Sequence, residues 1–133
     1  MTNSAKSLFV FGCYLLGLGM MLVVAPNVLL AIFGIQPTSE VWIRIVGMLL
    51  LFLGVYDVLA ARINLEPFIA WSVPMRFSVI IFFLAFVLFG FAPTVLLLFG
   101  AIDFAFAYWT RRALRREYSG TKAVSSNSTH PAT

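Results

Sequence analysis

The chain has 133 residues, 62% of them hydrophobic and only 11% charged, with a formal net charge of +4. A soluble domain carries about 25% charged and about 45–50% apolar residues, and the mean hydropathy here is +1.00. This balance excludes a nucleic-acid binder, an acidic or disordered chain and an ordinary cytosolic enzyme, and it indicates an integral membrane protein.

A membrane-spanning helix needs about 20 largely apolar residues. The expected fold class is all-α, an integral membrane four-helix bundle. The first apolar run begins at Leu8 and is closed by Pro26, which predicts a span over 8–25. The run exceeds the about 7–15 residues of a signal-peptide core, and no small-x-small cleavage site follows it, so it reads as a retained helix. Residues 27–33 read as a short interfacial helix stopped by Gly34. The second predicted span is 41–61, the third 73–91 and the fourth 94–109. Only Gly90, Phe91, Ala92 and Pro93 separate the last two. One helix from Val73 to Trp109 would rise about 55 Å, too long for a hydrocarbon core of about 30 Å, so the pair is expected to be a hairpin broken at Pro93. The runs are continuous rather than alternating, which argues against a β-barrel. Residues 1–117 thus form the expected transmembrane domain. Residues 118–133, rich in Ser, Thr, Gly and Pro, are expected to be a disordered, flexible cytoplasmic tail. The sequon Asn127-Ser128-Thr129 falls on the cytoplasmic side and reads as chance, and His130 reads as solvated.

Charge sets the expected orientation. Four spans place both termini on one side, together with Lys6, Arg62, Arg76, Arg111, Arg112, Arg115, Arg116 and Lys122, whereas the other side holds only Arg44. The excess of basic residues predicts cytoplasmic termini, in a bacterial inner (plasma) membrane. Trp42, Trp71 and Trp109 with Tyr108 open or close spans and read as an interfacial belt. The four clustered arginines also suit anionic headgroups, making membrane lipids the first expected partner.

Ionisable residues inside the spans are costly and usually have a partner or a purpose. Asp57, Arg76 and Asp103 are expected about 6, 5 and 12 Å from the inner ends of their spans, hence in the same half of the bundle, with Arg76 able to pair with either aspartate. Tyr56 neighbours Asp57 but points about 100° away around the helix, and Tyr14 offers a hydroxyl from the first span. Two readings are open: a structural ion network that fixes helix order, or a site for a proton, ion or ligand. Arg44 is expected to snorkel to the outer interface, with Glu40 as a surface partner, and Glu66 reads as a solvated or interfacial loop charge. The only cysteine, Cys13, cannot form a disulfide within the chain. No histidine lies in a span, which excludes bis-histidine haem ligation by this chain. No Cys/His metal set, glycine-rich phosphate loop or catalytic constellation is present.

Gly12 and Gly19 lie seven apart on one face of the first span, and Gly47 and Gly54 repeat that spacing in the second. Small residues let membrane helices approach closely, so these faces are expected to be packing surfaces.

Pro26 followed by Leu29-Leu30-Ala31-Ile32-Phe33-Gly34, then Arg44-Ile45-Val46-Gly47, Leu53-Gly54-Val55-Tyr56 and Ala60-Ala61-Arg62, resembles small DoxX-like membrane proteins over about residues 5–116. The resemblance implies a compact four-helix inner-membrane protein, in a family some of whose members accompany oxidoreductases that pass electrons to quinones. The chain itself carries no redox motif, and its cofactors are unknown. Three functions are therefore expected candidates. The leading one is a structural or accessory subunit of a homo-oligomer or larger membrane complex, motivated by the small size and the glycine faces. The others are an ion- or proton-coupled carrier or channel using Asp57, Arg76 and Asp103, and a subunit of a quinone-linked oxidoreductase.

Overall fold

The computed structural model describes residues 1–128, with the side chain of Ser128 excepted. The described residues are all-helical: α1 (Asn3–Val24), α2 (Pro26–Ile32), α3 (Trp42–Arg62), α4 (Glu66–Leu88) and α5 (Leu96–Ser128). Three of them, α1, α3 and α4, are long and apolar enough to cross a membrane, as expected of an integral membrane protein. The helix over the fourth predicted span differs in kind. Its apolar part runs only from Leu96 to Thr110, holds Asp103, and meets Arg111 and Arg112, which leaves it short of the about 20 residues a span requires.

Local sequence explains most helix ends. Pro26 sits in the first turn of α2 and Pro67 in the first turn of α4, where a missing N–H costs nothing. The C-termini of α2, α3 and α4 share one closure. Gly34, Asn64 and Gly90 adopt φ of 70°, 51° and 77°. The next residue then donates its N–H back five positions, Ile35 to Leu30, Leu65 to Ala60 and Phe91 to Phe86, at 2.8–2.9 Å. This Schellman geometry satisfies carbonyls that the helix end would otherwise leave orphaned.

Two expected boundaries differ from the structure. The helix of the third span starts at Glu66 rather than Val73, because Pro67 initiates it and Pro74 is carried inside it. The segment from Tyr118, expected to be disordered, continues α5 as helix through Ser128. Arg115, Arg116, Glu117, Lys122 and Ala123 are good helix formers and extend the helix already running. Thr129 of the sequon and His130 lie outside the described residues.

The helices associate as two antiparallel pairs. α1 packs along α3, α4 packs along α5, and α1 against α5 joins the pairs. The α1–α3 seam is the closest. A Cβ added at Gly19 would lie 2.7 Å from the Gly47 carbonyl oxygen, one at Gly47 would lie 2.8 Å from that of Gly19, and one at Gly54 would lie 2.9 Å from that of Gly12. Both glycine faces are therefore consumed within one chain. The pairs come together at one end in a buried cluster of Ala5, Leu8, Ala60, Ala61, Ile69, Val73 and Leu114. There the chain start, the α3–α4 turn and α5 meet. The Thr2 N–H donates to Asn64 Oδ1 at 3.1 Å, while Glu117 accepts from the Ser4 N–H at 3.0 Å and from its hydroxyl at 2.8 Å. Lys6, Arg62 and the four arginines of α5 are exposed around this basic end.

Candidate functional site

One charged side chain lies at the meeting point of α1, α4 and α5. Arg76 is only 5% exposed. It projects from α4 about 15 Å along the helix axis from Glu66, deeper than expected because α4 starts earlier. Its Nη2 donates to Ser72 Oγ one turn back at 3.1 Å and to Thr110 Oγ1 on α5 at 3.0 Å. The Thr110 and Ser7 hydroxyls share a hydrogen bond at 2.6 Å. The Ser4 carbonyl stands 2.7 Å from the Ser7 hydroxyl and the Phe106 carbonyl 2.9 Å from that of Thr110, so one hydroxyl donates to its own helix while the other donates across to its partner. Ser7 and Thr110 are fully buried, so a polar chain crosses from α4 through α5 to α1. The guanidinium carbon stands 4.7 Å from the centroid of the Phe11 ring, at a range where a desolvated cation gains from the ring face.

Asp57 and Asp103 lie within electrostatic reach of this cation, but neither forms an ion pair with it. Asp57 is buried and Asp103 half-buried. The expected direct pairing with Arg76 is not what the structure forms. Nη2 is taken by hydroxyls, and the buried Nε and Nη1 have no hydrogen-bond partner. The cause is geometric. Ser72 lies one turn below Arg76 on the same face of α4, Thr110 faces it across α5, and Phe11 covers its plane. Neither carboxylate accepts a hydrogen bond among the described residues.

The other expected site residues divide. Tyr14 comes close: it lies in the field of Asp103 and packs on Phe106 at 6.3 Å between ring centroids. Tyr56 stays on the outer surface at 61% exposed, consistent with its angular offset from Asp57. Arg44 is exposed, and its Nη1 donates to the Val23 carbonyl at the end of α1. It thereby satisfies a helix-terminal acceptor instead of pairing with Glu40, which is exposed in the preceding loop. Glu66 opens α4, where a carboxylate suits the helix dipole. All three tryptophans are exposed on the bundle surface.

Sequence reasoning missed Ser7, Ser72, Thr110 and Phe11. Their signal was present: Ser4 and Ser7 are hydroxyls one turn apart at the start of an apolar helix, and Thr110 is the last residue before the arginines. Among the described residues no group of three or more His, Cys, Asp or Glu gathers to hold a metal ion. The chemistry of this centre is that of one guanidinium, two carboxylates and a set of hydroxyls. Compared with family models, with curated proteins and with solved structures, the chain matches none.

Proposed function

We propose that the protein is a small ion- or proton-coupled carrier of the membrane, with its site at the Arg76, Asp57 and Asp103 centre. The observation that carries this reading is a buried guanidinium with two nitrogens unpaired among the described residues, within electrostatic reach of two carboxylates that accept no hydrogen bond among those residues. A structural ion network would satisfy its own members, because an unpaired buried donor costs about 1–3 kcal/mol. One cation and two anions leave one negative charge, the complement of a single proton or monovalent cation. Charge neutrality is strongly favoured inside a membrane, so binding and release of that ion would accompany each cycle. The site stands in the basic half of the bundle. By the positive-inside rule that half faces the cytoplasm, with α5 serving as the fourth span and an inner membrane as the location.

The accessory-subunit reading rested on the small size and the glycine faces, and the glycine faces meet each other inside the chain. The quinone-linked reading rests on the DoxX-like resemblance alone. The test is flux in proteoliposomes carrying an internal pH dye, under an imposed pH gradient, with sodium or potassium supplied in turn. The wild-type chain is expected to dissipate the gradient, and Asp57→Asn with Asp103→Asn to slow this at least about tenfold, because both carboxylates that would hold the ion are gone and Arg76 is left as a net positive charge. Absence of wild-type flux, or flux that survives the double substitution, overturns the reading.

A further inference from the structure

A second feature of the basic end is independent of the Arg76 centre. Where α4 and α5 run antiparallel, they leave between them a groove of about 350 Å³. Each helix contributes one continuous face. On α4 it is formed by Ala70, Val73, Pro74 and Phe77, spaced i, i+3, i+4 and i+7. On α5 the same spacing recurs as Arg111, Leu114, Arg115 and Tyr118. The two faces differ in chemistry. The α4 face is entirely apolar, and the α5 face sets two arginines and a phenol around Leu114.

The groove has an apolar floor and a basic rim. Phe77 packs edge-on against Phe104 at 5.1 Å between centroids, one helical turn or more from the arginines toward the apolar part of α5. Val73 and Leu114 belong to the buried cluster and form its floor. Arg111, Arg115 and Tyr118 are exposed at its rim. A ligand that fits must carry a hydrocarbon portion to lie on Val73, Pro74 and Phe77, and an anionic portion to meet two guanidiniums. The remaining arginines are arranged differently. Arg112 joins Tyr108, Arg111 and Arg115 in an adjoining surface patch, while Arg116 lines neither feature.

We propose that this groove is a binding site for one acidic phospholipid, with the phosphate on Arg111 and Arg115 and the start of an acyl chain along the α4 face. Charge complementarity selects the anionic headgroup, and guanidinium forks suit phosphate oxygens better than a point charge does. The apolar face along α4 separates this from diffuse attraction of a polybasic segment to a charged surface, which any of the four arginines would supply equally.

The test uses the full chain in detergent micelles, titrated with phosphatidylglycerol or phosphatidylcholine of identical acyl chains, with retained lipid counted by native mass spectrometry. One phosphatidylglycerol is expected to be retained in preference to phosphatidylcholine. Arg111→Gln with Arg115→Gln should weaken that retention about tenfold or more, given the contribution of each arginine near a charged headgroup. Arg112→Gln with Arg116→Gln removes the same charge and should change it by no more than about twofold. Ala70→Leu keeps every arginine and narrows the groove, and is expected to weaken retention several-fold. Glycerol phosphate, the headgroup without its chains, should not displace the lipid. Equal weakening by the two arginine pairs, equal retention of both lipids, an unaffected Ala70→Leu variant, or displacement by glycerol phosphate overturns the proposal.

Discussion

Arg76 shows how one side chain gathers partners from three helices. Thr110 is the hinge of that arrangement, because its hydroxyl accepts from Arg76, bonds Ser7 and stands 2.9 Å from the Phe106 carbonyl of its own helix. Thr110→Val keeps the shape and removes the hydroxyl. It leaves Arg76 Nη2 with Ser72 alone and Ser7 without its partner across the helices. The expected loss is about 1–3 kcal/mol, the cost of a buried polar group left unsatisfied. Thr110→Ser keeps the hydroxyl and should restore most of it. Reversible unfolding of the purified protein in mixed micelles checks both, and a Thr110→Val variant as stable as wild type would show that the polar chain does not hold the bundle. Asp57, Arg76 and Asp103 were legible in the sequence as a group, since charges in apolar runs stand out. The hydroxyl partners of Arg76 were not, because isolated Ser and Thr residues in a helix are common and only packing decides which of them face a cation.

Helix pairing is governed by the α1–α3 seam. The repeated seven-residue spacing of Gly12, Gly19, Gly47 and Gly54 announces a close contact, and the antiparallel arrangement matches Gly12 to Gly54 and Gly19 to Gly47. Gly19→Ala would drive a methyl group to 2.7 Å from a carbonyl oxygen and 2.9 Å from the Leu51 backbone nitrogen. Backbone cannot yield as a side-chain end can, so the helices must separate, at an expected cost of about 1–3 kcal/mol. Gly17 lies in the same helix, and a Cβ added there would meet nothing within 4 Å. Gly17→Ala is therefore expected to be neutral, or more stable by about 0.5–1 kcal/mol through helix propensity. Thermal denaturation of the two variants separates them, and equal behaviour would remove the seam from the account. The spacing by itself did not reveal whether the glycines face another helix of this chain or a second copy.

The molecule as a whole has a polarity of ends. Ser4 bonded to Glu117 and Thr2 bonded to Asn64 bring the N-terminus, the α3–α4 turn and the middle of α5 to one end, while Arg44 and the α1 C-terminus mark the other. In a membrane this predicts that cysteines placed at Asn3 and Gly120, in a Cys13→Ser background, react with an impermeant thiol reagent from the same side, and that a cysteine at Ser39 reacts from the opposite side. Labelling of Asn3→Cys and Gly120→Cys from opposite sides would overturn the proposed four-span topology and leave the three spans α1, α3 and α4, with α5 outside the bilayer.

Apolar run lengths, prolines and the residues at Gly34 and Gly90 determined the number of helices, the short helix after the first span and the turn between α4 and α5. These depend on contiguous residues, whose hydropathy and allowed backbone angles act locally. The extent of α5 was misread because a polar composition was weighed without the helix already leading into it. Only the tertiary structure decided that the glycine faces meet each other, that Arg76 turns to Thr110 and Phe11 instead of an aspartate, and that Glu117 covers the start of α1. The Ser4–Glu117 and Ser7–Thr110 bonds join residues 113 and 103 positions apart. Such pairings follow from the way helices cross and rotate against one another, which side-chain volume along the whole seam controls.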